Sequence, residues 1–199
     1  KTPGVTVKPL YYMDQAHVYN EVFLDDVHVP VENVVGQENE GWRVTQILAG
    51  FERSSLGSIM MMLRQVEELV KYCNQTKVGG QLLAHDPLIR NRLSQMACEI
   101  EALRCLGYRI ADAQERNEMA GFEASGVHIL ASELQERLSW LGTDILGPYG
   151  QVKRSKWSPF DGWYEKWYQQ SFVLFIAMGT NEIQRNIISW YGLGLPRMK

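Results

Sequence analysis

The sequence has little cysteine, little net charge and no long apolar run, and each shortage removes a class of protein. Its three cysteines are Cys73, Cys98 and Cys105. An odd count without Cys-x-x-Cys spacing argues against a disulfide framework and against a zinc site. It suits a reducing compartment, the cytoplasm. Cys98 and Cys105 lie seven apart within a helical pattern, which predicts buried free thiols. With 20 basic residues against 23 acidic ones the formal net charge is −3, which excludes nucleic-acid binding through bulk positive charge. No stretch approaches the roughly 18 apolar residues of a membrane span. The opening KTPGVTVKPL has no signal-peptide layout. The first residue is Lys1 rather than Met, which points to a processed chain or a piece of a longer one.

What remains is an ordinary globular composition over 199 residues, long enough to bury a core. The pattern changes near residue 37. Before it, β-branched and aromatic residues alternate with turn formers, and 3–11, 17–24 and 26–29 read as short strands, the last ended by Pro30. Three short strands barely make an independent sheet, so they read as the tail of a larger β domain. After Gly41 the spacing becomes helical. Leu56, Ile59, Leu63, Val66, Val70 and Cys73 form one stripe, stopped by Gly79-Gly80. Asp86-Pro87 is an N-cap with Pro at the first helical position. It opens a second stripe of Ile89, Leu93, Met96, Ile100, Leu103, Leu106 and Ile110. A third helix starts near Gly121, carries Val127, Leu130, Leu134, Leu138, Leu141 and Ile145, and ends at Gly147-Pro148-Tyr149-Gly150. A helix over about 164–177 and a last one to about Tyr191 complete the pattern, with Gly179-Thr180 between them. There is no internal repeat. The fold class is therefore mainly α: an up-and-down four-helix bundle over 37–199, preceded by the last strands of a β domain over 1–36.

Few residues stand out chemically. Counting back four from Leu56 along its stripe reaches Glu52, and four more reaches Leu48. A carboxylate at such a position is desolvated, its pKa rises, and it can act as a general base near neutral pH. The same position also suits a structural ion pair with Arg53 or a neighbouring helix. Gly179 to Arg185 opens a helix whose free N–H groups suit a phosphate or a flavin edge, or simply a Thr180 N-cap with Glu182 complementing the dipole. The glycines of Leu146 to Gln151 permit a ligand to approach the backbone, or make a tight inter-helix turn. Trp157, Phe160, Trp163, Tyr164, Trp167, Tyr168, Phe172 and Phe175 serve as core or as lining for an apolar ligand. Met60-Met61-Met62 reads as packing. His17, His28, His85 and His128 are scattered, and none suggests a metal site.

Taken together, these residues resemble the acyl-CoA dehydrogenase family over essentially the whole chain. His17 to Pro30 is similar to the last strands of the family's middle β domain. Gly36-Gln37-Glu38-Asn39-Glu40-Gly41-Trp42 resembles its entry into the first bundle helix. Gly179 to Arg185 resembles its C-terminal signature. The resemblance implies removal of two hydrogens from an acyl-CoA thioester, with a carboxylate taking the α-proton and FAD the β-hydride. Many members carry the base immediately before the Gly-Thr of the C-terminal motif, where this chain has Met178. A smaller set carries it on the first bundle helix before an Arg, which matches Glu52-Arg53. The resemblance also sets Thr180 and Glu182 near FAD, and Asp144, Gly147 and Pro148 near the adenosine half of a neighbouring subunit's FAD. Phe51, Arg53 and Gly179 fall near the substrate. Its implied partners are acyl-CoA, an electron acceptor and further subunits in a dimer or tetramer.

Two positions depart from the family. Where an Arg usually meets the flavin pyrophosphate across the dimer, Asn74 to Gly80 offers only Lys77, and an expected Gln aligns near Pro87. The departures resemble bacterial members that work as mixed assemblies of two related subunits, some of whose FAD sites are lost. The competing reading is a non-catalytic bundle subunit of such an assembly. Since 199 residues cannot hold the helical domain and full β domain that the resemblance requires, the chain is expected to be the C-terminal part of an enzyme and not to catalyse alone.

Overall fold

The computed structural model describes residues 2–52, 56–116 and 121–197, with the side chains of 50–52 and 56 outside that description. The chain divides into two compact units, Lys1–Leu48 and Ala49–Lys199. The first is built on strands β1 (Val5–Tyr11) and β2 (His17–Leu24), paired antiparallel with Val5 opposite Leu24, Val7 opposite Val22 and Leu10 opposite Tyr19. Alternating Val, Tyr and Phe favour the pleat, but every strand residue is exposed on this unit. Gly4 closes the open end. Its φ is +81°, and a Cβ there would meet the Asp25 carbonyl at 2.1 Å.

The strand expected over 26–29 does not form a ladder. Asp25 turns back to donate to the Gly4 carbonyl at 2.9 Å, Asp26 takes a positive φ of 49°, and β1 and β2 make a sheet of two. The alternation was present, but a strand also needs a partner edge.

Helix α1 (Gly41–Glu52) begins at the expected glycine, with Glu40 paired to Arg43 at 2.9 Å beside its first turn. The bundle follows as α2 (Leu56–Gln75), α3 (Pro87–Glu115) and α4 (Phe122–Leu146), completed by the shorter α5 (Trp163–Gln170) and α6 (Asn181–Ile187). A hairpin of Lys77–Val78 with Gln81–Leu82 turns α2 into α3. Asp86 caps α3 by accepting from the Leu88 and Ile89 N–H groups, with Pro87 next, as its sequence predicts.

Helix α4 is the central element. It packs against α2, α3, α5 and α6, and it buries residues around most of its circumference, from Ala124 and Val127 to Ile145 and Leu146. The core joins Leu134, Leu138 and Leu141 of α4 to Leu93, Ile100 and Leu103 of α3 and to Ile59, Val66 and Cys73 of α2. On α2 the buried stripe is rotated from the expected one: Met62 and Leu69 are inside, Leu63 is half-buried and Val70 is exposed. Both choices obey the 3-4 spacing, because apolar residues are adjacent at 62–63 and 69–70.

The last part of the bundle is more broken than its periodicity suggests. Instead of one helix over 164–177, α5 gives way at Ser171 to a 3-10 segment ending at Phe175. Beyond α6 a π-turn covers Ile188–Gly192. Cys98 and Cys105 are exposed on α3, correcting the expectation of buried thiols. They share a face seven residues apart, but it is not the face of Ile100 and Leu103. Cys73 is buried, and burial pushes its thiol pKa up.

Candidate functional site

A constrained turn precedes α6. Met178 has φ +56° and Gly179 φ +88°, two successive residues in the left-handed region. A methionine enters that region only when its surroundings hold it there. Gln184, fully buried, reaches back and donates from Nε2 to the Met178 carbonyl at 3.0 Å and to the Gly179 carbonyl at 3.1 Å. Thr180 caps α6 by accepting from the Ile183 N–H at 3.3 Å. Asn181 docks the helix on α4 through a reciprocal pair with Ser132 at 3.0–3.2 Å. Glu182 is exposed on the first turn, where its own backbone N–H, then the Thr180 hydroxyl and Arg185, hold its carboxyl below the usual range. Thr180, Glu182 and Gly179 therefore come together at one helix start.

A second group gathers where α4 ends. Gly147 turns the chain with φ +57°, its N–H donating to the Asp144 carbonyl, and a Cβ on it would meet nothing within 4 Å. Pro148 follows in a 3-10 turn. Gly150 is different: a Cβ there would lie 2.6 Å from the Thr143 carbonyl, so that glycine serves the turn itself. Asp144 is exposed and paired with Arg92 of α3 at 2.8 Å. Arg92 is a residue the sequence reading missed. It lies fifty-two positions away, and only the antiparallel packing of α3 on α4 brings the two together. Beside it a small cavity of about 160 Å³ is lined by Gln95, Met96, Arg137 and Trp140. There Arg137 pairs with Glu99 and holds that carboxyl below its usual range.

Glu52 and Phe51 close α1 as backbone positions, and their side chains lie outside the described residues. Arg53 lies outside them altogether. Lys77 is exposed in the α2–α3 hairpin. The aromatic residues divide. Phe160, Trp163 and Tyr164 join Met61, Gln65 and Tyr72 around a groove of about 630 Å³. Trp157, Tyr168 and Phe172 are exposed instead. Tyr164 is fixed twice, by donating to the Gln65 carbonyl at 3.3 Å and by lying against Gly142, where a Cβ would come within 2.1 Å of its ring. Among the described residues there is no group of three His, Cys, Asp or Glu side chains that could hold a metal, and no helix long and apolar enough to cross a membrane.

Comparison with known proteins places the chain in one family. The family model "Acyl-CoA dehydrogenase, C-terminal domain" matches residues 39–190. The chain is 33% identical to "Acyl-CoA dehydrogenase IpdE1" of Mycobacterium tuberculosis over 98% of its own length and 49% of that protein. Among solved structures it resembles the "Tcur3481-Tcur3483 steroid ACAD", with a TM-score of 0.88 at 26% identity, covering 99% of this chain and 50% of that one. It also resembles a chain of the ChsE4-ChsE5 complex of Mycobacterium tuberculosis, with a TM-score of 0.84 at 28% identity, covering 100% and 52%. The chain thus spans about half the length of the relatives it matches.

Proposed function

The chain belongs to the acyl-CoA dehydrogenase family, and from that premise we propose that it contributes to the α,β-dehydrogenation of an acyl-CoA thioester, with Glu52 as the base that removes the α-proton. The observation that carries this reading is Met178. It occupies the place directly before Gly179-Thr180 where many members of the family keep their carboxylate, and its thioether has no proton-accepting role. The base would then come from another element, and Glu52, the last residue of α1 and followed in the sequence by Arg53, supplies the alternative pattern. Proton removal builds charge on the thioester oxygen, which fixed hydrogen-bond donors must stabilise. Arg53 orients the carboxylate or its loop, and Phe51 and Gly179 lie against the substrate. In this reading aromatic residues with Met61 shape the acyl pocket; Phe160, Trp163 and Tyr164 form the apolar part of a groove whose other part is polar, with Arg64, Glu68 and Lys71.

Family members are generally FAD-dependent, and bound FAD would accept the β-hydride. The fit to such a group is supported at two places. At the start of α6, Thr180 and Glu182 are the residues set to face it, while Gly179 itself serves the turn, since its φ is +88° and a Cβ there would fall 2.9 Å from Gln184 Nε2. At the α4 end, Gly147 leaves open space, Pro148 beside it is exposed, and the charge on Asp144 is paired with Arg92. Arg92 makes that corner tolerable for a phosphate, but it does so as half of an ion pair, not as a free guanidinium fork.

The stretch from Asn74 to Gly80 favours the second reading for one part of the surface. With Lys77 the one cation between residues 74 and 80, this chain lacks the Arg that usually meets a neighbour's flavin pyrophosphate. Assembly with a related subunit follows, in line with the two-protein complexes among its structural neighbours. The test is Glu52→Gln in the holoenzyme that carries this chain. The expected result is an unchanged flavin spectrum with turnover lost by a factor of about a thousand or more. Full turnover in that variant would remove Glu52 from the mechanism, and a holoenzyme without flavin would favour the non-catalytic subunit.

A further inference from the structure

We infer that Gln184 is a positioning residue of this site: its carboxamide clamps the carbonyls of Met178 and Gly179 and so sets the path of the turn beside the reacting groups. The inference rests on the functional reading above, in which that turn lies against flavin and substrate. Three observations carry it. The clamp is bidentate across two consecutive carbonyls, 3.0 and 3.1 Å from one nitrogen. It holds a methionine in a backbone region where methionine is uncommon, so the conformation depends on the clamp and is not a local preference of the chain. Third, the choice of a carboxamide is poor for packing alone. Gln184 is fully buried, and its Oε1 has no hydrogen-bond partner among the described residues. A Met or Leu would fill that space without stranding a buried acceptor. What the carboxamide adds is the pair of donors aimed at the turn.

The geometry also fixes what the clamp does. A trans peptide points its C=O and its N–H in opposite directions. With the carbonyls of 178 and 179 turned inward to Gln184, the N–H groups of Gly179 and Thr180 face the other way. The rest of α6 has its own anchors, the Thr180 cap and the Ser132–Asn181 pair, so losing the clamp releases the turn and leaves the helix docked.

The test has two parts. In the full 199-residue chain, Gln184→Met removes both donors at similar volume. It is expected to shift the amide NMR resonances of Met178, Gly179 and Thr180 while leaving those of Ser132 and Asn181 in place. In the flavin-loaded holoenzyme the same change is expected to lower kcat by about tenfold or more while KM moves by less than about threefold, because a displaced turn costs more in the transition state than in binding. Gln184→Glu is the second variant. Its carboxyl donates only when protonated, so its turnover relative to the unaltered enzyme should recover as the pH is lowered. Unmoved amides, or kcat kept within about twofold, would overturn the inference, and so would a Gln184→Glu pH profile identical to that of the unaltered enzyme should Gln184→Met fail to fold. Those results leave the functional reading standing. An unaltered holoenzyme without turnover defeats that reading directly and this inference with it.

Discussion

The hairpin of the first unit and the bundle of the second are built from similarly apolar residues, yet they treat them in opposite ways. All the residues of β1 and β2 are exposed on their own unit, including Val7, Val22, Phe23 and Leu24. In the bundle, Leu134 and Leu138 are fully buried, and the core runs through α2, α3 and α4. The hairpin is held by its ladder and the bundle by burial. An isolated two-stranded ladder is marginal in water. A sequence keeps that much Val, Tyr and Phe on a hairpin when something else covers it, which agrees with a chain that spans half of its relatives.

Truncation should divide the two regions most sharply. Leu134→Ala is expected to cost about 2–5 kcal/mol, whereas Val22→Ala on the hairpin, 56% exposed, should change stability by less than about 0.5 kcal/mol. Urea unfolding of the 199-residue chain, followed by helical circular dichroism, compares them directly. Equal costs would mean that the hairpin is covered within this chain. Gly142→Ala comes next. Its new methyl meets the Tyr164 ring, which is pinned by its bond to Gln65, so about 1–3 kcal/mol should be lost. A stability near that of the unaltered chain would show that the ring yields.

The smallest effect concerns pH. Glu99 is held below its ordinary pKa of 4.5, chiefly by Arg137. A group whose folded pKa is depressed lends stability that is fully present above 4.5 and is lost as pH falls through its lower folded value. Glu99→Gln should therefore flatten the acid limb of the stability profile below about pH 4.5 and lower stability slightly at neutral pH. An unchanged acid limb would show that the pair is fully screened.

The parts of the fold that were legible share one property: their signal is local and periodic. Asp86-Pro87 marked the start of α3, and the stripes of α3 and α4 place Leu93, Ile100, Leu103, Leu134 and Leu138 in the core where they are found. On α2 the run Met60 to Leu63 is apolar without interruption, so periodicity left two faces possible, and packing against α3 and α4 buries the one carrying Met62. The strand at 26–29 failed because pairing needs an edge that no local pattern reveals. The site divides in the same way. The Gly-Thr start of α6 and the Gly147 turn carry local turn chemistry. Arg92 reaches Asp144 only through helix register, and Gln184 bonds to backbone, which has no sequence signature.

The central claim is that the substrate α-proton is taken by a base on α1, Glu52, and not by a group at the position before Gly179. Exchange of the substrate α-proton with deuterated solvent tests it without waiting for full turnover. In the flavin-loaded holoenzyme, Glu52→Gln should abolish that exchange with the flavin spectrum retained, while Met178→Leu should leave it within about threefold of the unaltered rate. Exchange persisting at its full rate in Glu52→Gln would contradict the claim.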